Sequence, residues 1–110
     1  MTAKGIIWVG SSRADIRKLP RDARWALGHD LNRVQLGRLP RGWRPMSTVG
    51  PGVIEIRVHA GGAFRLMYVA KFAGEIYVLH VFQKKSEKTS LLDLAVARAR
   101  YAAVHRGQRR

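Results

Sequence analysis

The sequence predicts a small α+β domain in the order β-α-α-β-β-β-α, with helices against one face of an antiparallel sheet. Three observations predict it: strand-like runs joined by turn signals in residues 53–82, an apolar stripe at helical spacing in residues 23–34, and a capped apolar helix after residue 90. The 110 residues predict a single domain, residues 1–110.

The N-terminal part predicts a short strand and a short helix. Gly5 to Val9 is strand-like, and the segment Ser12-Arg13-Ala14-Asp15 has the pattern of a capping box, which starts a helix by satisfying free backbone donors. Pro20 then either interrupts that helix or starts the next one at its first position. Both elements are expected to be short.

A second helix is predicted from about Arg21 to Leu36. Its apolar stripe at spacings of three and four consists of Ala23, Leu27, Leu31 and Val34. Trp25 lies beside the stripe; packing is the expected outcome, whereas exposure would indicate a protein contact. Residues 38–52 are rich in Gly and Pro and predict a loop.

Three strands are predicted next, and their short connections indicate antiparallel neighbours. They are Val53 to His59, Ala63 to Phe72 and Ile76 to Phe82, with turns at Gly61-Gly62 and Ala73-Gly74-Glu75. In the first of them, apolar and polar side chains alternate between the two faces. Tyr68 and Tyr77 are expected to belong to the core.

The last predicted element is a helix capped by Ser90, with Asp93 three residues later. Its apolar side consists of Leu91, Leu92, Ala95, Val96, Ala99 and Ala102. Residues 105–110 form a basic tail that is expected to fray.

The net charge is +14, from 21 Lys and Arg against 7 Asp and Glu, and 15 of the basic residues are Arg. Such a charge repels itself unless an anionic partner offsets it: nucleic acid, an acidic protein or a membrane surface. Nucleic acid is favoured, because Arg binds phosphate with a forked geometry. The absence of Cys and of an apolar run of about 18 residues agrees with a cytoplasmic protein. The four His show no metal-ligand spacing, and no cofactor or metal is expected.

Candidate catalytic residues lie on the predicted sheet and just after it. Strand alternation puts Glu55 and Arg57 on one face, expected to be the face away from the helices. Arg65 lies within an otherwise apolar strand, and Lys84 and Lys85 follow the third strand. Antiparallel pairing is expected to bring these residues together.

This set suits RNA cleavage by the 2′-hydroxyl of the RNA itself. Glu55 would take the 2′ proton, Arg65 and Arg57 would hold the phosphate, and Lys84 or Lys85 would assist the leaving group without a divalent metal. Two further lysines, Lys71 and Lys88, are candidate contacts to RNA phosphate.

Each assignment has a structural alternative. Glu55 can serve only as an ion-pair partner of Arg57 or of a cross-strand Arg, and Arg65 can be a solvated or ion-paired strand residue. Residues 84–88 are typical of a charged connection. His80 stands among apolar residues, so a hydrogen-bonded core histidine is expected rather than a catalytic one.

Three segments resemble one toxin superfamily: Glu55-Ile56-Arg57, Gly62-Ala63-Phe64-Arg65-Leu66-Met67-Tyr68 and Leu79-His80-Val81-Phe82-Gln83-Lys84-Lys85. The sequence is similar over residues 5–104 to the RelE/ParE superfamily, and most similar to its phage-associated HigB-like toxins. The resemblance implies a type II toxin that cleaves mRNA in the ribosomal A site. Its partners would be the ribosome, mRNA and a cognate, HigA-like helix-turn-helix antitoxin in a hetero-oligomer.

Matched by position, the resemblance implies that Arg65 corresponds to the family's strand arginine and Glu55 to its carboxylate. The family's basic residue after the last strand corresponds to Lys85, with Lys84 beside it. RelE proper has a tyrosine in the segment after the last strand. That tyrosine is missing from this sequence, where Leu91 stands near the corresponding position. The ParE branch shares the fold and inhibits DNA gyrase without hydrolysis, so gyrase inhibition is the alternative function. A nucleic-acid-binding module without toxicity is the third.

Overall fold

A computed structural model describes residues 3–72 and 74–108. The elements are β1 (Ile6–Trp8), α1 (Ser12–Arg17), α2 (Arg21–Gln35), β2 (Trp43–Pro45), β3 (Val53–His59), β4 (Ala63–Val69), β5 (Ile76–Lys84) and α3 (Leu91–Gln108). The predicted α+β class is confirmed. Ala73 of one predicted turn and Arg109 and Arg110 of the predicted tail lie outside the described residues.

The five strands form one mixed sheet in the order β1-β5-β4-β3-β2. The pairs β2–β3, β3–β4 and β4–β5 are antiparallel, whereas β1 runs parallel to β5. The expectation of a wholly antiparallel sheet is therefore wrong at β1. The two helices that follow β1 carry the chain away from the strand, and such a long connection permits parallel pairing.

The predicted loop of residues 38–52 contains β2, which the sequence did not reveal. This strand has three residues, all exposed, and Pro45 is one of them. It pairs with β3 at the sheet edge, with Trp43 opposite Ile56 and Arg44 opposite Glu55. A three-residue edge strand that contains proline has too few side chains to show a periodic pattern.

Helices cover both faces of the sheet, so the expectation that they cover one face is wrong. The α2 face carries one core: Ala23, Leu27, Leu31, Val34, Ile56, Val58, Phe64, Leu66, Tyr68, Ile76, Val78 and Val81. The α3 face carries the other: Met46, Val49, Val53, Met67, Val69, Tyr77, Leu79, Phe82, Ala97, Tyr101 and Val104. The central strands β4 and β5 are buried along almost their whole length, as expected for strands with two covered faces.

The predicted stripe of α2 is confirmed, since all four of its apolar residues are buried. Trp25 is 66% exposed and its ring stacks on His29 at 5.3 Å, so the expectation that it packs in the core is wrong. At about 100° per residue, Trp25 points roughly 160° away from buried Ala23. Gly37, at φ +80°, ends the helical segment in the left-handed conformation that glycine adopts without strain.

The helix starts differ from the prediction at α1 and agree with it at α3. In α1 the Ser11 hydroxyl donates to the Asp15 carboxylate at 2.7 Å, whereas Ser12 is buried and donates to the Val78 carbonyl at 3.2 Å. The predicted capping box on Ser12 is therefore wrong. In α3 the Ser90 hydroxyl accepts from the Asp93 amide at 3.0 Å, as predicted.

The predicted fraying of the basic tail is wrong for residues 105–108. The helix α3 continues through this segment to Gln108. No helix within residues 3–72 and 74–108 is both long and apolar enough to cross a membrane.

An irregularity in β5 changes which side chains face α3. The pairing with β4 shifts between Met67 and Tyr68, so Tyr68 lies opposite Val78 and Met67 lies opposite His80, leaving Leu79 as an extra residue. The strand therefore contains a β-bulge. The carbonyl of Leu79 accepts a hydrogen bond at 2.9 Å from Arg100 of α3.

Tyr68, buried in the α2-face core, predicts a loss of stability at high pH. Burial raises the pKa of Tyr68 to about 12, against about 10 in the unfolded chain. Because the folded pKa is the higher one, this stability is fully present below pH 10 and is lost as the pH rises towards 12. We expect a loss of about 2 kcal/mol by pH 11.5.

Urea unfolding at pH 8 and pH 11.5 checks this value, with Tyr68→Phe as the control that keeps the ring without the titrating group. Equal pH sensitivity of the two proteins would contradict the prediction.

Candidate active site

Charged side chains share the α3 face near one end of the central strands. In the sheet register Arg44 lies opposite Glu55, and Arg57 lies opposite Arg65. Lys84 is opposite Ala63, two residues along β4 from Arg65, and therefore on the same face. The structure thus brings together four of the predicted residues, Glu55, Arg57, Arg65 and Lys84.

A buried ion pair forms the centre of this group. Glu55 is 2% exposed and Arg65 is 3% exposed, and the Arg65 Nε lies 3.7 Å from the Glu55 Oε1. The Nε of Arg44, whose side chain is 51% exposed, lies 3.7 Å from the same oxygen. The expected helix-free face carries the α3-face core, and both members of the pair are buried on that face. Arg44 therefore lies between the carboxylate and solvent.

Three buried polar atoms have no hydrogen-bond partner within the described chain: Oε2 of Glu55, Nε of Arg65 and Nδ1 of His80. A buried polar atom without a partner costs about 1–3 kcal/mol. Native proteins keep few such atoms, and each one requires an explanation. The three side chains lie on one face of the sheet.

Competing electrostatic effects act on Arg65. Burial lowers the pKa of the Arg65 guanidinium below its ordinary value; the charge of Glu55 raises it, and those of Arg57 and Arg44 lower it further. An arginine stays charged at neutral pH even so. Its Nη1 donates to the Phe64 carbonyl at 3.0 Å, which fixes the guanidinium in place. Arg65 is therefore a held cation next to like charges, a setting that favours an incoming anion.

His80 lies beside this group and contacts α3. Its Nε2 is 2.7 Å from the Asp93 Oδ1, and its ring stacks on Phe82 at 4.8 Å. The prediction of a buried, hydrogen-bonded histidine is confirmed. Sequence reasoning assigned Asp93 only to the helix cap, but its two carboxylate oxygens contact both Ser90 and His80.

A groove of about 420 Å³ opens next to the buried pair. It runs between the segment after β2 and the β5–α3 connection, and its walls include Arg44, Thr48, Lys84 and Lys88, with Glu87 as the acidic member. Lys84 is half-buried, whereas Lys85 and Lys88 are exposed in the connection. Because Arg44 contacts both the groove and Glu55, it links the open cleft to the buried charges.

Lys71 is not part of this group. It follows the far end of β4, six residues from Arg65, which corresponds to about 20 Å along an extended chain. Its Nζ lies 5.1 Å from the Phe72 ring centroid and 5.7 Å from that of Tyr101.

Arg44 is the site residue that the sequence reasoning missed. The available signal was its place in Trp43-Arg44-Pro45, which pairs with β3, but that strand was read as loop. Within residues 3–72 and 74–108, no three His, Cys, Asp or Glu side chains are placed to hold a metal ion.

The fold and this site define a class: small, strongly basic α+β proteins with a buried Arg–Glu pair beside a cationic groove. A family model described as phage-derived protein Gp49-like matches residues 14–102, about four fifths of the chain. The chain belongs to this family of phage-derived Gp49-like proteins. The family is toxin-like, of the RelE/HigB type, and is compatible with a toxin role. No curated protein matches the chain.

Proposed function

We propose that the protein is the toxin of a type II toxin–antitoxin pair and cleaves mRNA on the ribosome. The observation that carries the proposal is the cluster of incompletely bonded atoms of Glu55, Arg65 and His80 beside the cationic groove. A scissile phosphate and a 2′-hydroxyl supply the anion and the hydrogen-bonding groups that this cluster lacks. The family match supports the toxin role.

RNA would enter along the groove through its phosphates. Arg44, Lys84 and Lys88 offer three cations there, and the whole chain carries a charge of +14. Phosphate contacts of this kind bind tightly and carry little sequence information. The codon held in the ribosomal A site would then determine where the strand is cut.

In the proposed reaction the 2′-oxygen attacks the adjacent phosphorus while the bond from phosphorus to the 5′-oxygen breaks. The products are a 2′,3′-cyclic phosphate and a 5′-hydroxyl end. Glu55 accepts the 2′ proton through Oε2, once Arg44 moves aside with the arriving phosphate. Arg65 and Arg57 stabilise the charge on the phosphate oxygens, and Lys84 or Lys85 donates a proton to the 5′-oxygen.

The test is mRNA integrity after brief induction of the chain alone, mapped by primer extension beside an Arg65→Met control. We expect cuts within translated codons that vanish when initiation is blocked. Intact mRNA with arrested growth would overturn the proposal in favour of gyrase inhibition. Intact mRNA with normal growth would leave a nucleic-acid-binding module.

The double substitution Lys84→Gln/Lys88→Gln is expected to lower the affinity for RNA and to make that affinity less dependent on salt. Each lost phosphate contact to single-stranded RNA lowers the slope of log K against log salt by about 0.7, so the slope should fall by roughly 1.4. Fluorescence anisotropy with a short labelled RNA measures it between 50 and about 200 mM salt.

The matched control is Lys18→Gln/Arg24→Gln, which removes the same charge from two exposed positions outside the groove lining. Equal slopes for the two double variants would show that the groove lysines do not contact phosphate.

The proposed antitoxin would offset the charge with an acidic segment, and Trp25 offers it an apolar contact. Trp25 is large, exposed and stacked on His29, features that favour a protein contact. We expect Trp25→Ala to weaken the toxin–antitoxin complex by about 10-fold or more, with Trp43→Ala as control. Calorimetry at two salt concentrations measures it; affinity independent of salt would contradict an electrostatic contact.

A further inference from the structure

A second pocket lies at the other end of the α3 face. This distal pocket, of about 370 Å³, is lined by Val49, Pro51, Lys71, Arg98, Tyr101, Ala102 and His105. Its residues come from the loop before β3, the segment after β4 and the C-terminal half of α3. The catalytic proposal uses none of them.

Hydrogen bonds hold the walls of the distal pocket in place. Arg98 Nε donates to the Thr48 carbonyl at 2.9 Å, and the Tyr101 hydroxyl donates to the Pro51 carbonyl at 3.0 Å. Gly50 packs so closely on Tyr101 that an added Cβ would overlap the ring. The loop is therefore fixed against α3, and the pocket is formed before any ligand arrives.

The lining of the distal pocket combines apolar side chains with two cations. Val49, Tyr101 and Ala102 are apolar members of the lining, the first two of them buried, while Lys71 and Arg98 are exposed cations. No Asp or Glu occurs among the described residues of the lining. An apolar lining with exposed cations beside it suits a planar group that carries a negative charge, such as a nucleobase with its phosphate.

The distal pocket continues the groove along one side of α3. Leu94 lines the groove, Arg98 lies one helical turn further, and Ala102 lies one turn beyond that in the distal pocket. Thr48 lines the groove while its carbonyl is bonded to Arg98. Leu94 and Ala102 are thus about 12 Å apart along the helix.

We propose that the distal pocket binds a second nucleotide of the same RNA strand, with its base on Tyr101 and Ala102 and its phosphate on Lys71 and Arg98. This inference rests on the proposed function, because it assumes that the groove carries RNA. The inference gives Lys71 an RNA-binding role outside the catalytic group, in agreement with its position beyond the far end of β4. Single-stranded nucleic acid is bound in this way, by base contact combined with phosphate contact.

The test is calorimetric titration of the purified full chain with 5′-AMP, adenosine and inorganic phosphate. We expect AMP to bind at least about tenfold more tightly than adenosine or phosphate, because it alone offers both base and charge. Lys71→Gln/Arg98→Gln should weaken AMP binding about tenfold or more. Arg21→Gln/Arg24→Gln, with the same loss of charge on α2, should leave it unchanged.

A further variant, Ala102→Phe, fills the pocket without changing charge and should also abolish AMP binding, while its melting curve reports that the fold persists. AMP binding unchanged in both pocket variants, or phosphate bound as tightly as AMP, would overturn the inference.

The distal pocket and the proposed nuclease can fail separately. AMP binding should survive Arg65→Met, because that substitution lies in the other site. AMP binding that depends on the pocket, together with intact cellular mRNA, would sustain the pocket and reject the nuclease. Cleaved mRNA together with a loss of AMP binding would sustain the nuclease and reject the pocket.

Discussion

Replacing Arg65 with methionine is expected to slow mRNA cleavage by about 10²–10³-fold, the usual effect of removing one fixed group that stabilises transition-state charge. Methionine retains much of the length of the side chain but none of its charge. Arg65 is held by its bond to the Phe64 carbonyl, so it needs little reorganisation when the phosphate arrives. Primer extension on a reconstituted translation reaction measures the rate.

Loss of folding is the competing explanation, and a second substitution separates the two. Arg65→Met alone leaves the buried Glu55 carboxylate with Arg44 as its remaining ion-pair partner, which can cost about 3–5 kcal/mol. Glu55→Gln/Arg65→Met removes both buried charges and is expected to recover part of that stability. It should remain inactive. Cleavage at the wild-type rate by either folded variant would show that Arg65 has no role in catalysis.

Phe64→Ala is expected to lower the free energy of unfolding by about 3–5 kcal/mol. Phe64 is among the largest fully buried side chains and belongs to the α2-face core. Small domains are stable by only about 5–15 kcal/mol, so this variant will be close to unfolding. Urea unfolding followed by circular dichroism measures the difference.

Phe64→Leu is the matched control, since it keeps an apolar side chain of similar reach and should cost clearly less. A loss below about 1 kcal/mol for Phe64→Ala would mean that the space closes without a cavity or that the ring is not buried. Because the Phe64 carbonyl holds Arg65, the alanine variant should also reduce cleavage more than the leucine variant.

Strong local patterns predicted the central elements well. The helical stripe of α2 and the residues of β3 followed from spacing alone, because one buried face imposes its period on the sequence. The position of α3 did not follow. The predicted apolar side of α3 is wrong: Leu91 and Leu92 are exposed, and the helix instead buries Ala97, Tyr101 and Val104, with Leu94 packed beside them. The strands β4 and β5 are apolar on both faces, which hides which helix covers which side.

The candidate site, like the fold, was predicted correctly where local patterns determine it and missed where long-range pairing does. Alternation within β3 correctly placed Glu55 and Arg57 together, and pairing added Arg65 and Lys84. Burial of Glu55 and Arg65 was not foreseen, because it depends on tertiary packing between segments that are distant in the sequence. Arg44 was missed for a related reason: β2 is defined by its pairing to β3 rather than by a pattern of its own.

The bulge at Leu79 determines which face of the sheet each later side chain of β5 occupies. Because Leu79 is an extra residue, both it and His80 face α3, and Phe82 and Lys84 keep that side beyond it. If the same residues alternated regularly, without the bulge, the rest of the strand would be turned over, with Val81 facing α3 and Lys84 facing α2. A one-residue change in pairing register would thus dismantle the charged cluster while every charged residue remained in the chain.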